Sequence, residues 1–255
     1  MRNISAILAL FLSIALSAQT EPLLRFPALS PDGNQLAFSY QGDIWTVDAN
    51  GGVARRLTIH ESYERFPQWS PDGTKIAFQG NRYGNDDVFV INANGGMPIR
   101  ITHHSSADNT PQWTNDGHLM FASSRLFREV ERSAEVFTVP ANGGTPERVM
   151  DAFGVRPTPS PDGRYIAYVE RNCRFVREAY TGPANRSIYV YDKQNNAYTA
   201  VADTDAQESN PAWDNQGNLY YLSAANGRYN IYRQKIGGTA EALTKFKDEG
   251  VREFT

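Results

Sequence analysis

The block Ser-Pro-Asp-Gly recurs down this chain at residues 30–33, 70–73 and 160–163, with worn copies at 114–117 and 214–217. The closing glycines, Gly33, Gly73, Gly117, Gly163 and Gly217, stand 40, 44, 46 and 54 residues apart. Five copies of one unit are present. A period of that length, with no helical pattern inside it, describes propeller blades and not a helical solenoid.

Each unit reads as four short strands. The first ends in Pro, any residue, and then a slot held by Trp69, Trp113 and Trp213, or by Leu29 and Pro159. The block then turns the chain, because Pro presets φ and Gly accepts the left-handed conformation that closes a hairpin. The second strand is carried by Leu36 and Phe38, Ile76 and Phe78, Leu119 and Phe121, Ile166 and Tyr168, or Leu219 and Tyr221, residue types suited to a pleated, half-buried surface. The third strand begins at Ile44, Val88, Val136, Ile188 or Ile231. Ala-Asn-Gly-Gly at 49–52, 93–96 and 141–144 makes the next hairpin turn, shortened at 236–238 and replaced at 194–196. Stretches such as 56–58, 100–102 and 242–244 close the units. The expected fold is all-β, a β-propeller of four-stranded antiparallel blades at about 23–58, 63–102, 107–150, 155–202 and 207–244.

Residues 248–255 run in register with the approach to another block. The expectation is a sixth blade begun but unfinished, an open arc belonging to a longer protein, because an end inside a strand leaves backbone groups unpaired. Residues 19–255 alone are expected to aggregate or to be weakly stable, since blades contact only their neighbours.

The amino end is a different kind of segment. Arg2 precedes an apolar run from Ile4 to Leu16 and then the small residues Ser17 and Ala18, the pattern of a secretory signal over 1–18. The run is too short for a membrane span. The reading is an exported protein, periplasmic or extracellular, with no span after signal removal. Cys173 is the lone cysteine, so no internal disulfide forms. A net charge of −3 and a pI near 5.8 argue against nucleic acid, which needs a concentrated basic surface.

Antiparallel strands put their connections alternately at the two ends of a blade. From the last aromatic of strand two to the first apolar residue of strand three, the connection is 5, 9, 14, 19 and 9 residues long in the five units. Between blades, measured to the next Pro or to Glu253 in that slot, it is 8, 8, 6, 8 and 8. Nearly all the length variation is therefore in one loop class at one end, the usual place for binding on a rigid scaffold.

The two longest loops are rich in Arg: Arg125, Arg128 and Arg132 in the third unit, and Arg171, Arg174, Arg177 and Arg186 in the fourth, beside Tyr180. Guanidinium forks match carboxylates in two-point contact, so Arg125, Arg128, Arg132, Arg171, Arg174, Arg177 and Tyr180 are the candidate residues for binding a peptide end or an acidic partner. The competing reading is that these arginines pair with the interleaved Glu129, Glu131 and Glu178 and simply pack the loops.

Other groups read as structural. Asp32, Asp72, Asp116 and Asp162 share one turn position, where backbone hydrogen bonding explains them better than acid catalysis. The periodic Trp suits packing between blades. His103 and His104 lack partners at metal spacing. No GxSxG, P-loop or HExxH occurs, so the chain itself carries no catalytic residue, and no cofactor or metal is expected.

The run over 26–58, FPALSPDGNQLAFSYQGDIWTVDANGGVARRLT, together with CRFVREAYTGPANRSIYVY over 173–191, resembles the amino-terminal propeller of bacterial tricorn-type serine proteases. The block and Gly-Gly repeats are also shared with TolB-like propellers; the long fourth-unit loop tips the resemblance toward the tricorn type. It implies an exported serine peptidase in which the propeller gates or holds peptides and unfolded chains for a PDZ module and a protease core further along the same chain, with homo-oligomerisation open. Two alternatives remain: a TolB-like interaction propeller without an enzyme, and the propeller of a prolyl-oligopeptidase-like enzyme.

Overall fold

The computed structural model describes residues 23–126, 133–171 and 173–255. The expected signal over 1–18, and Arg128 and Arg132, lie outside them. Twenty strands form five four-stranded antiparallel sheets, each a simple meander. The first blade is β1 (Arg25–Leu29), β2 (Gln35–Tyr40), β3 (Asp43–Asp48) and β4 (Arg55–Arg56). The second is β5 (Glu64–Trp69), β6 (Lys75–Gly80), β7 (Asp87–Asn92) and β8 (Ile99–Arg100). The third is β9 (Asp108–Trp113), β10 (His118–Ser123), β11 (Glu135–Pro140) and β12 (Glu147–Phe153). The fourth is β13 (Val155–Pro159), β14 (Tyr165–Glu170), β15 (Ser187–Asp192) and β16 (Ala197–Ala202). The fifth is β17 (Glu208–Trp213), β18 (Leu219–Ser223), β19 (Asn230–Gln234) and β20 (Glu241–Ala242). Residues 243–255 contain no strand.

The turn chemistry repeats atom for atom. In the second blade Ser70 Oγ accepts from Lys75 N at 2.9 Å and donates to Asp72 Oδ1 at 2.5 Å, while Gly73 N donates to Ser70 O at 2.8 Å with φ +68°. Asp72 Oδ1 also accepts from Thr74 N at 3.0 Å. These hydrogen bonds, Ser70's first, hold the Asp72 carboxyl down at about 2. The same set recurs around Ser30 and Ser160. The turn aspartates are thus committed to the backbone.

The core lies between blades, not within them. Ala28, Ala37, Ile44 and Leu57 of the first blade pack against Ile76, Phe78, Phe89 and Ile91 of the second. Equivalent clusters join each later pair. The periodic Trp closes each seam that has one: Trp69, Trp113 and Trp213 donate through Nε1 to Ala28 O, Gln68 O and Thr158 O of the preceding inner strand, at 3.0, 3.0 and 3.2 Å. An indole suits that place because its large apolar body fills the seam and its single donor finds a carbonyl.

The outer strands depart from the sequence reading. β4, β8 and β20 are only two residues long. The threonine that follows ends the ladder: Thr58, Thr102 and Thr244 accept through Oγ1 from Ile44 N, Val88 N and Ile231 N at 2.9, 3.0 and 2.9 Å. A side chain there satisfies a donor that a longer strand would have paired. In the third blade Met150 replaces threonine, and β12 runs on to Phe153.

Candidate functional site

Where the five inner strands converge they enclose a cavity of about 310 Å³, lined among others by Phe26, Phe66, Thr110, Arg156, Asn210 and Glu253. Its shape comes from an irregularity common to all five strands. Phe26, Phe66, Thr110, Arg156 and Asn210 each precede the repeat proline, and all have positive φ, between +50° and +55°. Each lies where the pairing of its inner strand shifts register. Left-handed backbone at a non-glycine residue costs about 1–2 kcal/mol. Proline cannot donate to the ladder, so the strand bulges there. Five such bulges put the side chains before the prolines on the channel wall. The sequence reading missed this; the repeated X-Pro pair in the first strand was its only local trace.

The uneven loops open at the same end as the connections between blades. Two sets of buried carboxylates, also missed in the sequence, hold their roots. At the start of the third strand, Asp43, Asp87 and Glu135 pair with Arg56, Arg100 and Arg148 of the outer strand. At the start of the inner strand, the fully buried Glu64 and Asp108 pair with Arg82 and Arg125 at 2.6 and 2.7 Å. Each of those arginines stands two residues beyond the end of its second strand. The fifth blade breaks the pattern. Glu208 occupies the same buried place, but Ala225 stands where an arginine would reach it. Glu208 bonds Thr204 and Ser223, and burial pushes its carboxyl up to about 8.

The candidate arginines are not equivalent. Arg125 is committed: its Nη2 donates to both Asp108 oxygens at 2.7 Å, and its guanidinium lies over the rings of Phe121 and Phe137. Arg171 reaches Asp203 at 3.4 Å, Glu170 at 3.8 Å and Asn185 at 3.3 Å. Arg174 and Arg177 are exposed and have no carboxylate partner among the described residues. Arg177 lies 4.5 Å over the half-buried Tyr180 ring. Residues 176–182, Arg228 and Arg252 line a second, open depression beside the channel. The buried Glu178 anchors it, accepting from Arg228 at 3.4 Å and Arg252 at 2.8 Å. Phe175 stacks on Tyr229 with ring centroids 4.3 Å apart, tying this loop to the fifth blade. Thus Arg177 and Tyr180 come together in this depression, Arg174 is joined to Arg177 only through the backbone, and Arg125 and Arg171 serve the scaffold.

Cys173 is buried, and His104 accepts from Ser106 N through Nδ1 at 2.9 Å. Among the described residues no cluster of three metal-ligating side chains occurs, and no helix is long and apolar enough to cross a membrane.

Known proteins with this geometry fall into a few groups. The tricorn protease crystal structure superposes with a TM-score of 0.77 at 19% identity, over 89% of this chain and 23% of that one. TolB from Acinetobacter baumannii gives 0.69 at 22% identity, over 85% of this chain and 53% of that one. The β-propeller domain of the Trilobed protease from Pyrococcus furiosus gives 0.60 at 15% identity, over 88% and 69%. At these identities the likeness is one of fold. A comparison with curated proteins found no match. The model of the tricorn protease N-terminal β-propeller domain matches residues 21–255, which takes in every described residue, and the chain belongs to that family.

Proposed function

We propose that this chain is the non-catalytic propeller of an exported tricorn-type serine peptidase, which admits peptides at its uneven end and holds them for a protease core elsewhere in the same protein. The observation that carries this reading is the asymmetry of the ring. Nearly all the length variation, both unpaired exposed arginines of the fourth-blade loop and an open depression lined by Arg177 gather at one mouth of the channel, and the family supplies the peptidase context. Arg174 and Arg177 would receive the carboxylate of a peptide end, with Tyr180 as the apolar wall beside it. We read residues 248–255 as the approach to a sixth unit.

The test uses the full-length protein. Arg174→Ala with Arg177→Ala is expected to lower kcat/KM about tenfold for peptides with a free carboxyl end and to leave amidated peptides unchanged. Equal loss on both, or none, would remove the carboxylate role. The likeness to TolB supports a second reading, a protein-interaction propeller without an enzyme. A coding sequence that continues past Thr255 into a protease core excludes it, and an early stop favours it.

A further inference from the structure

Three of the four seams between the described blades hold an indole. Trp69, Trp113 and Trp213 each donate to a residue of the preceding inner strand, Ala28, Gln68 or Thr158, and that residue is paired with an alanine of the second strand, Ala37, Ala77 or Ala167. A small residue in one layer leaves room for a large one in the next. The seam between the third and fourth blades has neither. Pro159 stands in the Trp slot, and Gln112, the third-blade counterpart of those three acceptors, is paired with Met120.

This exchange of a large residue for a small one, and of a small one for a large one, does not fill the seam. A cleft of about 390 Å³, in the range of small-molecule sites, lies there at the end of the Ser-Pro-Asp-Gly turns. Met120, Thr138 and Val149, on three successive strands of the third blade, line it together with Pro159 of the fourth. Above it Asn115 Nδ2 donates to Pro161 O, so a hydrogen bond between turns joins the blades where an indole does so elsewhere.

Two further features suit a ring in this place. In its own seam Trp213 stacks on Tyr165, the first residue of β14, with ring centroids 6.4 Å apart. The first residue of β10 is His118, which lines the cleft. Among the described residues the two buried methionines, Met120 and Met150, both belong to the core of this seam. A thioether adapts to an irregular gap and packs favourably against an aromatic ring.

We propose that the cleft between the third and fourth blades binds a planar aromatic ring of about indole size, seated between Met120 and Pro159 in the place that a tryptophan of this chain fills in the other seams. The site lies at the opposite end of the ring from Arg174 and Arg177, and it does not rest on the peptidase reading. The ring comes either from an aromatic side chain of a polypeptide or from a free small molecule.

Methyl NMR of the full-length protein labelled at methionine tests this, with the Met120 signal identified by its loss in Met120→Leu. The probes are indole, N-acetyltryptophanamide and, as the non-aromatic control, cyclohexylmethanol. A saturable ring-current shift of Met120 with N-acetyltryptophanamide makes the source a polypeptide, and a shift with indole alone makes it a free molecule. The exposed Met97 should not move in either case. Pro159→Trp installs the residue that this strand position holds in three other blades; it should weaken indole about tenfold or more and raise Tm. Pro159→Trp with Met120→Ala rebuilds the pairing of the other seams and should lose the rise in Tm that indole gives the parent. The shift itself is read in the parent protein, so the outcome does not depend on how either variant folds. The proposal falls if neither aromatic probe shifts Met120, if cyclohexylmethanol binds there as tightly as indole, or if indole binding is unchanged in a folded Pro159→Trp.

Discussion

The two ends of this ring follow opposite rules. At one end the turns at Gly33, Gly73, Gly117, Gly163 and Gly217 share one conformation, with φ between +68° and +79°. Each turn is satisfied by hydrogen bonds a few residues away. At the other end the loops between second and third strands run from the pair Gln41 and Gly42 to the sixteen residues between Glu170 and Ser187. They are held by charge across long sequence distances: Arg125 to Asp108, Arg82 to Glu64, and Arg228 and Arg252 to Glu178. Local chemistry builds the constant end; buried ion pairs hold the roots of the loops at the variable end. The fifth blade, where Glu208 lacks its arginine, is an internal control for that contrast.

The largest effect should come from breaking a buried pair. Arg125→Ala leaves the fully buried Asp108 without its counter-ion and should cost about 3–5 kcal/mol in denaturant unfolding. A loss below about 1 kcal/mol would mean that the pair does not support the loop.

Next comes pH. The Glu208 carboxyl sits near 4.5 in an unfolded chain and about 8 when folded, so the native state holds the proton more tightly. Its contribution is fully present below pH 4.5 and is lost as pH rises through 8, with a slope of up to about 1.4 kcal/mol per pH unit. Ala225→Arg supplies the guanidinium that Arg82 and Arg125 supply in their blades, and should flatten this slope between pH 5 and 8. Identical slopes in the parent and the variant would show that the missing arginine is not the cause.

The smallest effect is expected at the constant end. Ser70→Ala removes the acceptor for Lys75 N and should cost about 1 kcal/mol. Because the turns are far apart, the triple change at Ser30, Ser70 and Ser160 should add up to about 3 kcal/mol. Marked departure from additivity in thermal melts would mean that the turns are coupled to one another and not locally satisfied.

This contrast also explains what could be read from the sequence. The five meanders, both kinds of turn and the Trp seam were legible, because each is specified within a few residues by proline, glycine and aspartate. The bulges at Phe26, Phe66, Thr110, Arg156 and Asn210 were not, because an X-Pro pair announces neither the positive φ nor the register shift that it produces once its strand is paired. Nor was the division among the arginines. Arg125 and Arg174 look alike along the chain; only the fold brings Asp108 beneath one and leaves the other in solvent. Glu253 was assigned to the proline slot, whereas it lines the channel with the residues that precede the prolines, one place earlier.

One backbone contact recurs wherever a loop re-enters its sheet. Glu64 N, Asp108 N, Gly154 N, Glu208 N and Val251 N donate to Gly42 O, Asp86 O, Ala134 O, Arg186 O and Tyr229 O, at 2.7 to 3.1 Å. The following segment thus clamps the final residue of every loop, whatever length of chain came before. Inserted sequence is free to accumulate upstream of that clamp without displacing a blade, so such a ring can acquire new specificities by lengthening single loops while its frame stays the same.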